Sequence, residues 1–305
     1  MIPTPAADDG ARPTLGALAR SAGGLAMVAM DQRESLRTMF AEAGVGRVPD
    51  ARLVEFKLAV AALLGSRASG FLIDRHYGFD QVRATGLLPP TTGLVLAADA
   101  LTQEPGGPVE ETDLDDVVLA PELDLTGVVA VKLLVVWRRD RRRAQRAEMA
   151  DQFVRAARRL GVLSVLEPVV RATPEELAAG TWDADAAIGE AAEELSGLGQ
   201  SLYKVQVPRA GQGPPAELRA ACARLDARIT GPWVVLSQGV DPGDYLGAVT
   251  AACQAGASGF LAGRALWRDV VGADDVPARL REVAVPRLDR LVEVVDTYAR
   301  PWGQS

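Results

Sequence analysis

Eight short runs of aliphatic and β-branched residues recur along the chain, alternating with longer stretches whose apolar residues return at helical spacing, and this alternation constrains the fold more than any other feature. The runs centre on 25–30, 70–73, 93–97, 130–136, 163–166, 202–207, 234–237 and 259–262. Helical spacing occupies 34–43, 50–64, 142–160, 174–195, 215–229, 241–255 and 276–298. Strands that alternate with helices make a parallel sheet, and eight of them is the number that closes a barrel. The expected architecture is therefore an α/β chain folded as a single-domain (β/α)8 TIM barrel, a size that 305 residues suit. The acidic and less regular stretch 106–125 reads as an extended loop after the third strand.

Composition narrows the function classes. Hydrophobic residues make up 48% of the chain, ample for one large core, yet no apolar stretch approaches the roughly twenty residues that span a bilayer. Residues 1–13 are rich in Pro, Ala and Asp and lack a basic start followed by an apolar segment. They read as a flexible tail ahead of a barrel domain at 14–305, in a cytoplasmic protein. Cys222 and Cys253 sit among small apolar residues of helical spacing and are expected to be buried thiols. His76 is the sole histidine, so a multi-histidine metal site is excluded. A net charge of −7 argues against nucleic acid as a partner, and the run Arg138-Arg139-Asp140-Arg141-Arg142-Arg143 reads as a solvated helix start.

Three charged residues stand inside the strand runs. Lys204 is the only ionisable residue of Leu202-Tyr203-Lys204-Val205-Gln206-Val207, Lys132 lies in the longer run from Val128 to Trp137, and Glu167 follows Val162-Leu163-Ser164-Val165-Leu166. One such lysine can snorkel from a sheet edge. Two lysines and a glutamate on separate core strands are costly to bury unless they meet, so a shared pocket is expected, with an amine suited to Schiff-base chemistry. Asp31, Asp74, Asp99, Glu167, Ser237 and Arg264 all fall at or just after the end of a run, the rim that carries active sites in such barrels. Ser237, Gly239, Gly263 and Arg264 form a candidate phosphate cradle in the loops after strands seven and eight. Asp31 and Gln32 suit hydroxyl binding, although Asp31 also fits a helix N-cap. A short repeat links Ala68-Ser69-Gly70-Phe71-Leu72 with Ala257-Ser258-Gly259-Phe260-Leu261, with Arg75 and Arg264 at the same offset.

The segments Ala29-Met30-Asp31-Gln32-Arg33, Val131-Lys132-Leu133-Leu134, Leu202-Tyr203-Lys204-Val205 and Gly259-Phe260-Leu261-Ala262-Gly263-Arg264 resemble those of the class I tagatose 1,6-bisphosphate aldolase family. From about Ser21 to Tyr298 the chain is more similar to its sulfosugar branch, the sulfofructosephosphate aldolases of sulfoquinovose catabolism. Trp137-Arg138 and Glu167-Pro168-Val169-Val170-Arg171 carry that similarity. The resemblance implies cleavage of 6-deoxy-6-sulfofructose 1-phosphate to dihydroxyacetone phosphate and sulfolactaldehyde, without cofactor or metal. Lys204 would be the imine-forming nucleophile, with neighbouring Lys132 repelling its charge. Glu167 would be the general acid and base, and Asp31 and Gln32 would hold substrate hydroxyls. For the sulfonate, Arg138, Arg171, Arg75 and His76 are the candidates, and the choice among them stays open because Asp74-Arg75-His76-Tyr77-Gly78 departs from both branches. The resemblance also implies a homo-oligomer, with Leu266, Trp267 and the C-terminal helix offering apolar contact. Tagatose 1,6-bisphosphate cleavage and a sugar-phosphate-sensing barrel without catalysis are the rival readings.

Overall fold

A computed structural model describes residues 13–104 and 107–304; the expected tail lies, but for Pro13, outside the described residues. Its strands are β1 (Leu25–Met30), β2 (Gly70–Ile73), β3 (Gly93–Ala97), β4 (Asp99–Gln103), β5 (Val109–Leu114), β6 (Val128–Trp137), β7 (Leu163–Val170), β8 (Leu202–Val205), β9 (Trp233–Val235) and β10 (Gly259–Ala262). All but β4 and β5 close into one barrel, in the order β1, β10, β9, β8, β7, β6, β3, β2. Every neighbouring pair in that ring is parallel. Among the described residues no helix is long and apolar enough to cross a membrane.

The two-residue period of a strand decides which side chains enter the barrel. Leu25, Met27, Val95, Ala130, Leu202 and Val234 belong to the apolar cluster that fills its interior. Alternate residues such as Val28, Phe71, Leu133, Leu166, Tyr203 and Val235 join the outer cluster between sheet and helices. Continuing the inward parity toward the strand ends leads to Asp31, Asp99, Lys132, Glu167 and Lys204, so the apolar layers carry a charged layer on top. Register completes the placement, since Lys132 is level with Val165 and Leu134 with Glu167. The two repeat segments flank β1, which pairs Met27 with Gly70 on one side and Leu25 with Gly259 on the other. Gly259 has φ +141°, and a Cβ there would lie 1.9 Å from the Leu25 carbonyl oxygen, so the strands at this seam approach as only glycine allows.

Several expectations need correction. The stretch 106–125 is not all loop, because β5 pairs antiparallel with β4 to form a hairpin at the barrel mouth. Its polar residues, among them Glu110, Glu111 and Asp113, hide the strand because only Thr112 of its six residues is fully buried and no apolar alternation marks it. β6 and β7 run beyond their expected ends and stay in register to the pair Trp137 and Val170. The helix expected over 174–195 is two, Pro174–Ala179 and Ala184–Leu195, divided where Gly180 turns left-handed and Asp183 caps the next start. The C-terminal helical region contains a π-helical segment, Leu280–Ala284, ahead of Pro286, which lacks the backbone donor a regular helix needs. The short helix Phe79–Thr85 was not expected. Leu266 and Trp267 are not surface contacts for another subunit: both are fully buried, and the Trp267 indole donates to the Ala29 carbonyl at 3.2 Å.

Candidate active site

The charged layer converges on one carboxylate. Glu167 Oε1 lies 2.7 Å from Lys204 Nζ and its Oε2 lies 2.7 Å from Lys132 Nζ, both of them charge contacts and neither an aligned hydrogen bond. Lys132 Nζ also donates to Asp31 Oδ2 at 2.8 Å and to Asp99 Oδ2 at 2.9 Å. Lys132, Glu167, Lys204 and Asp99 are all buried. Such a cluster survives burial only when opposite charges are in contact and their remaining lone pairs and protons are used. Burial works against the Lys132 charge, but the attraction of Asp31, Asp99 and Glu167 outweighs it and holds the ammonium well above the usual lysine range. Burial likewise opposes ionisation of Asp31, and the cations of Lys132 and Lys204 overcome it, keeping this carboxyl well below the usual carboxylate range. Lys132 is thus more than the repelling neighbour expected: it is the common ion partner of three carboxylates.

A second tier of charges braces this layer. The Arg33 guanidinium donates to the Asp99 carboxylate at 2.8 Å and to the Asp99 carbonyl at 2.7 Å, and approaches Asp74 at 3.9 Å. Asp74 in turn is ion-paired with Lys57, both side chains wholly enclosed, and accepts from the backbone N–H groups of His76 and Tyr77. Sequence reasoning placed Asp99 and Asp74 at the rim without giving either a role, and it passed over Arg33 and Lys57. The inward parity of Val95 and Ala97 leads directly to Asp99, and Lys57 stands alone among Leu53, Phe56, Val60 and Ala61 on its helix. Those signals were present.

Above the layer opens a cavity of about 390 Å³. Asp31, Gln32, Lys132, Glu167 and Lys204 line it, and so do Ser237, Gly263, Arg264 and Arg171. The Gly263 N–H points to Ser237 Oγ at a long 3.4 Å, and a Cβ at Gly263 would meet the Ala29 carbonyl at 2.7 Å and Gln32 Nε2 at 3.0 Å. The expected cradle thus comes together at this corner except for Gly239, which turns the chain at φ +83° and does not line the cavity. Of the four sulfonate candidates only Arg171 lines it. Arg138 is ion-paired with Glu110, Arg75 is held by Asp115 at 2.7 Å, and His76 lies with Arg75 outside the lining. Their charges look toward the hairpin and the following loop, whose folding back the sequence did not reveal.

The charge balance is uneven across the cavity. Among the described residues, the ammoniums and Arg33 are matched by Asp31, Asp99 and Glu167, while Arg171 and Arg264 have no carboxylate within 4.0 Å. Burial pushes both guanidiniums down from their ordinary value. The Arg171 Nε and Gln32 Oε1 atoms are buried with no hydrogen-bond partner, as is Nε2 of Gln103, another lining residue from β4. Such a cavity offers a primary amine, a carboxylate able to relay its proton, and two guanidiniums free to meet anions.

Fold and site define an enzyme of the (β/α)8 class whose reacting groups ride on strand ends. Residues 25–269 match the model of the DeoC/LacD family aldolases, and the chain belongs to that family. It is an aldolase, a carbon–carbon lyase, which replaces the reading as a non-catalytic sensor. Tagatose 1,6-diphosphate aldolase of Streptococcus pneumoniae is 27% identical, covering 92% of this chain and 94% of that protein. Tagatose 1,6-diphosphate aldolase 2 of Streptococcus pyogenes serotype M3 is 25% identical over 93% of this chain and 94% of its own length. Among solved structures, fructose-bisphosphate aldolase of Plasmodium falciparum aligns with a TM-score of 0.70 at 15% identity, over 93% of both chains. An archaeal fructose-1,6-bisphosphate aldolase, solved with its catalytic lysine bound to the carbinolamine intermediate, aligns at 0.55 and 16% identity over 92% of this chain and 98% of its own. At such identities these structures show a shared fold.

Proposed function

We propose that the protein is a class I aldolase that cleaves a ketose 1-phosphate bearing a second anion at its far end, with 6-deoxy-6-sulfofructose 1-phosphate as the substrate. The observation that carries this reading is the contact of Lys204 Nζ with Glu167 Oε1 at 2.7 Å, at the base of a cavity two of whose three lining guanidiniums lack a carboxylate partner among the described residues. Transfer of the Lys204 proton to Glu167 frees the amine to attack the ketone carbon C2. Glu167 then returns the proton to the carbinolamine hydroxyl, water leaves, and an iminium forms. The substrate's C4 hydroxyl gives up its proton to Glu167, again a carboxylate, as the C3–C4 bond breaks, the aldehyde departs, and the bonding pair moves into the iminium to give an enamine. The departed aldehyde is sulfolactaldehyde; protonation of the enamine at C3 by Glu167 and hydrolysis of the resulting iminium release dihydroxyacetone phosphate and restore the Lys204 amine.

Asp31 and Gln32 hold substrate hydroxyls beside this centre, and Lys132 keeps the surrounding carboxylates ionised and in place. Ser237, Gly263 and Arg264 take the 1-phosphate, while Arg171, with a planar fork that reaches two oxygens, takes the distal anion. Tagatose 1,6-bisphosphate is the second reading, favoured by the activity named for the Streptococcus relatives. Two measurements separate the possibilities. Borohydride reduction with the sulfoketose phosphate should add the mass of the reduced adduct at Lys204, and turnover of the sulfonate should exceed that of tagatose 1,6-bisphosphate. No adduct at Lys204 sinks the class I mechanism; faster cleavage of the bisphosphate hands the assignment to the second reading.

A further inference from the structure

Just outside the lining at the Arg171 end of the cavity stands a carboxylate, Glu110, placed to act as a charge filter. β6 and β7 remain in register to Trp137 and Val170, so the next residues, Arg138 and Arg171, emerge side by side, and the Arg171 N–H donates to the Trp137 carbonyl at 2.9 Å. Arg171 lines the cavity, whereas Arg138 stands behind it with its Nη2 on Glu110 Oε2. Glu110 follows the lining residue Val109 on β5 but does not itself line the cavity; its side chain is 44% exposed and reaches this end through its pair with Arg138. Two guanidiniums and one carboxylate thus share this end, and their summed charge is a single positive one. The Nε atoms of both arginines and Nε2 of Gln103 are buried donors without an acceptor.

We propose that Glu110 sets the charge this end accepts, so that it selects a monoanion such as a sulfonate over a dianion such as a phosphate. The inference rests on the aldolase reading above and adds a residue to it. A sulfonate carries one negative charge and brings the group of side chains to neutrality. A phosphate monoester carries about −1.5 to −2 at pH 7 and leaves excess negative charge in a partly desolvated pocket, where it repels Glu110. Both groups present three oxygens to the same donors, so shape alone discriminates poorly and charge has to supply the difference.

The test compares kcat/KM for 6-deoxy-6-sulfofructose 1-phosphate and fructose 1,6-bisphosphate, which share stereochemistry and differ at the distal anion, in the wild type, Glu110→Gln and Glu110→Asp at pH 8. Removing the charge in Glu110→Gln should move the ratio toward the bisphosphate by about tenfold, mainly through KM, as expected for one partly screened unit charge. Glu110→Asp, which keeps the charge on the same strand position, should retain the wild-type ratio. An unchanged ratio in Glu110→Gln, an equal fall for both substrates, or the same shift in both variants overturns the charge filter. If the wild type cleaves neither ketose, it is the substrate reading that has failed. The filter is then decided by calorimetric titration with methanesulfonate and methyl phosphate: a rise in the relative affinity of Glu110→Gln for methyl phosphate supports it, and no rise overturns it.

Discussion

The base of the cavity and its distal rim treat charge in opposite ways. At the base, Lys132 and Lys204 are locked by Asp31, Asp99 and Glu167 through contacts of 2.7 to 2.9 Å, all borne on or next to parallel strands. At the rim, Arg171 has no carboxylate partner among the described residues, and the side chains near it come from the ends of β6 and β7 and from a hairpin. A reacting centre has to hold its groups still and balanced before the substrate arrives, because reorganisation during the reaction raises the barrier. A binding end does the reverse. It keeps a cation incompletely neutralised, and the substrate supplies the missing charge.

Breaking the base should cost the most. Lys204→Met should lower kcat by at least about 10⁴-fold and abolish the borohydride-trapped adduct, since removal of a covalent nucleophile leaves only binding and electrostatics. A variant that still turns over and still traps would place the nucleophile elsewhere. Lys132→Met leaves three carboxylates, two of them buried, without their common cation, and a loss of about 3–5 kcal/mol in urea-unfolding stability is expected along with lost activity. Adding Asp99→Asn to that variant should recover part of the stability; a double mutant weaker than the single would contradict the charge-balance account.

At the rim, Arg171→Met should reduce kcat/KM for the doubly anionic ketose by about 10²-fold, chiefly in KM, the cost of one charge-assisted bidentate contact. Cleavage of fructose 1-phosphate, which has a neutral hydroxyl at C6, should change little, and an equal loss on both substrates would make Arg171 a part of the base. The acid limb sharpens the comparison further. The Asp31 carboxyl is depressed in the folded protein, so its contribution is fully present above the unfolded value of about 3.9 and is lost as pH falls toward the folded value. The stability gap between wild type and Asp31→Asn should hold steady from pH 5 to 7 and close below about pH 4. A gap that stays constant throughout would show that Asp31 is not held by its cations. Arg75→Ala should have the smallest effect, under about twofold in kcat/KM with at most about 1 kcal/mol in stability, because its ion pair with Asp115 lies outside the cavity and is partly solvated.

The barrel was readable because apolar runs of period two and helices of period 3.6 leave local marks, and the strands of the ring formed where those marks lie. The charged layer was readable for the same reason: Lys132, Glu167 and Lys204 stand out inside apolar runs. The rim left fainter marks. Arg138, Arg171 and Arg75 are equally plausible as bare residues, and only the register of β6 with β7 and the return of β4 and β5 over the mouth set Arg171 toward the cavity and hand the other two to Glu110 and Asp115. Gly239 likewise belonged to the cradle by its neighbours in the chain and fell outside it in space. From its sequence alone this protein's strand alternation and the burial of Lys132, Glu167 and Lys204 in its core runs were determined, since both are written in residues a few positions apart. Which guanidinium meets the substrate, and which carboxylates meet Lys132, was decided by the closed barrel, because ion pairs between strands up to 101 positions apart depend on register and on chain crossings that carry no local signal.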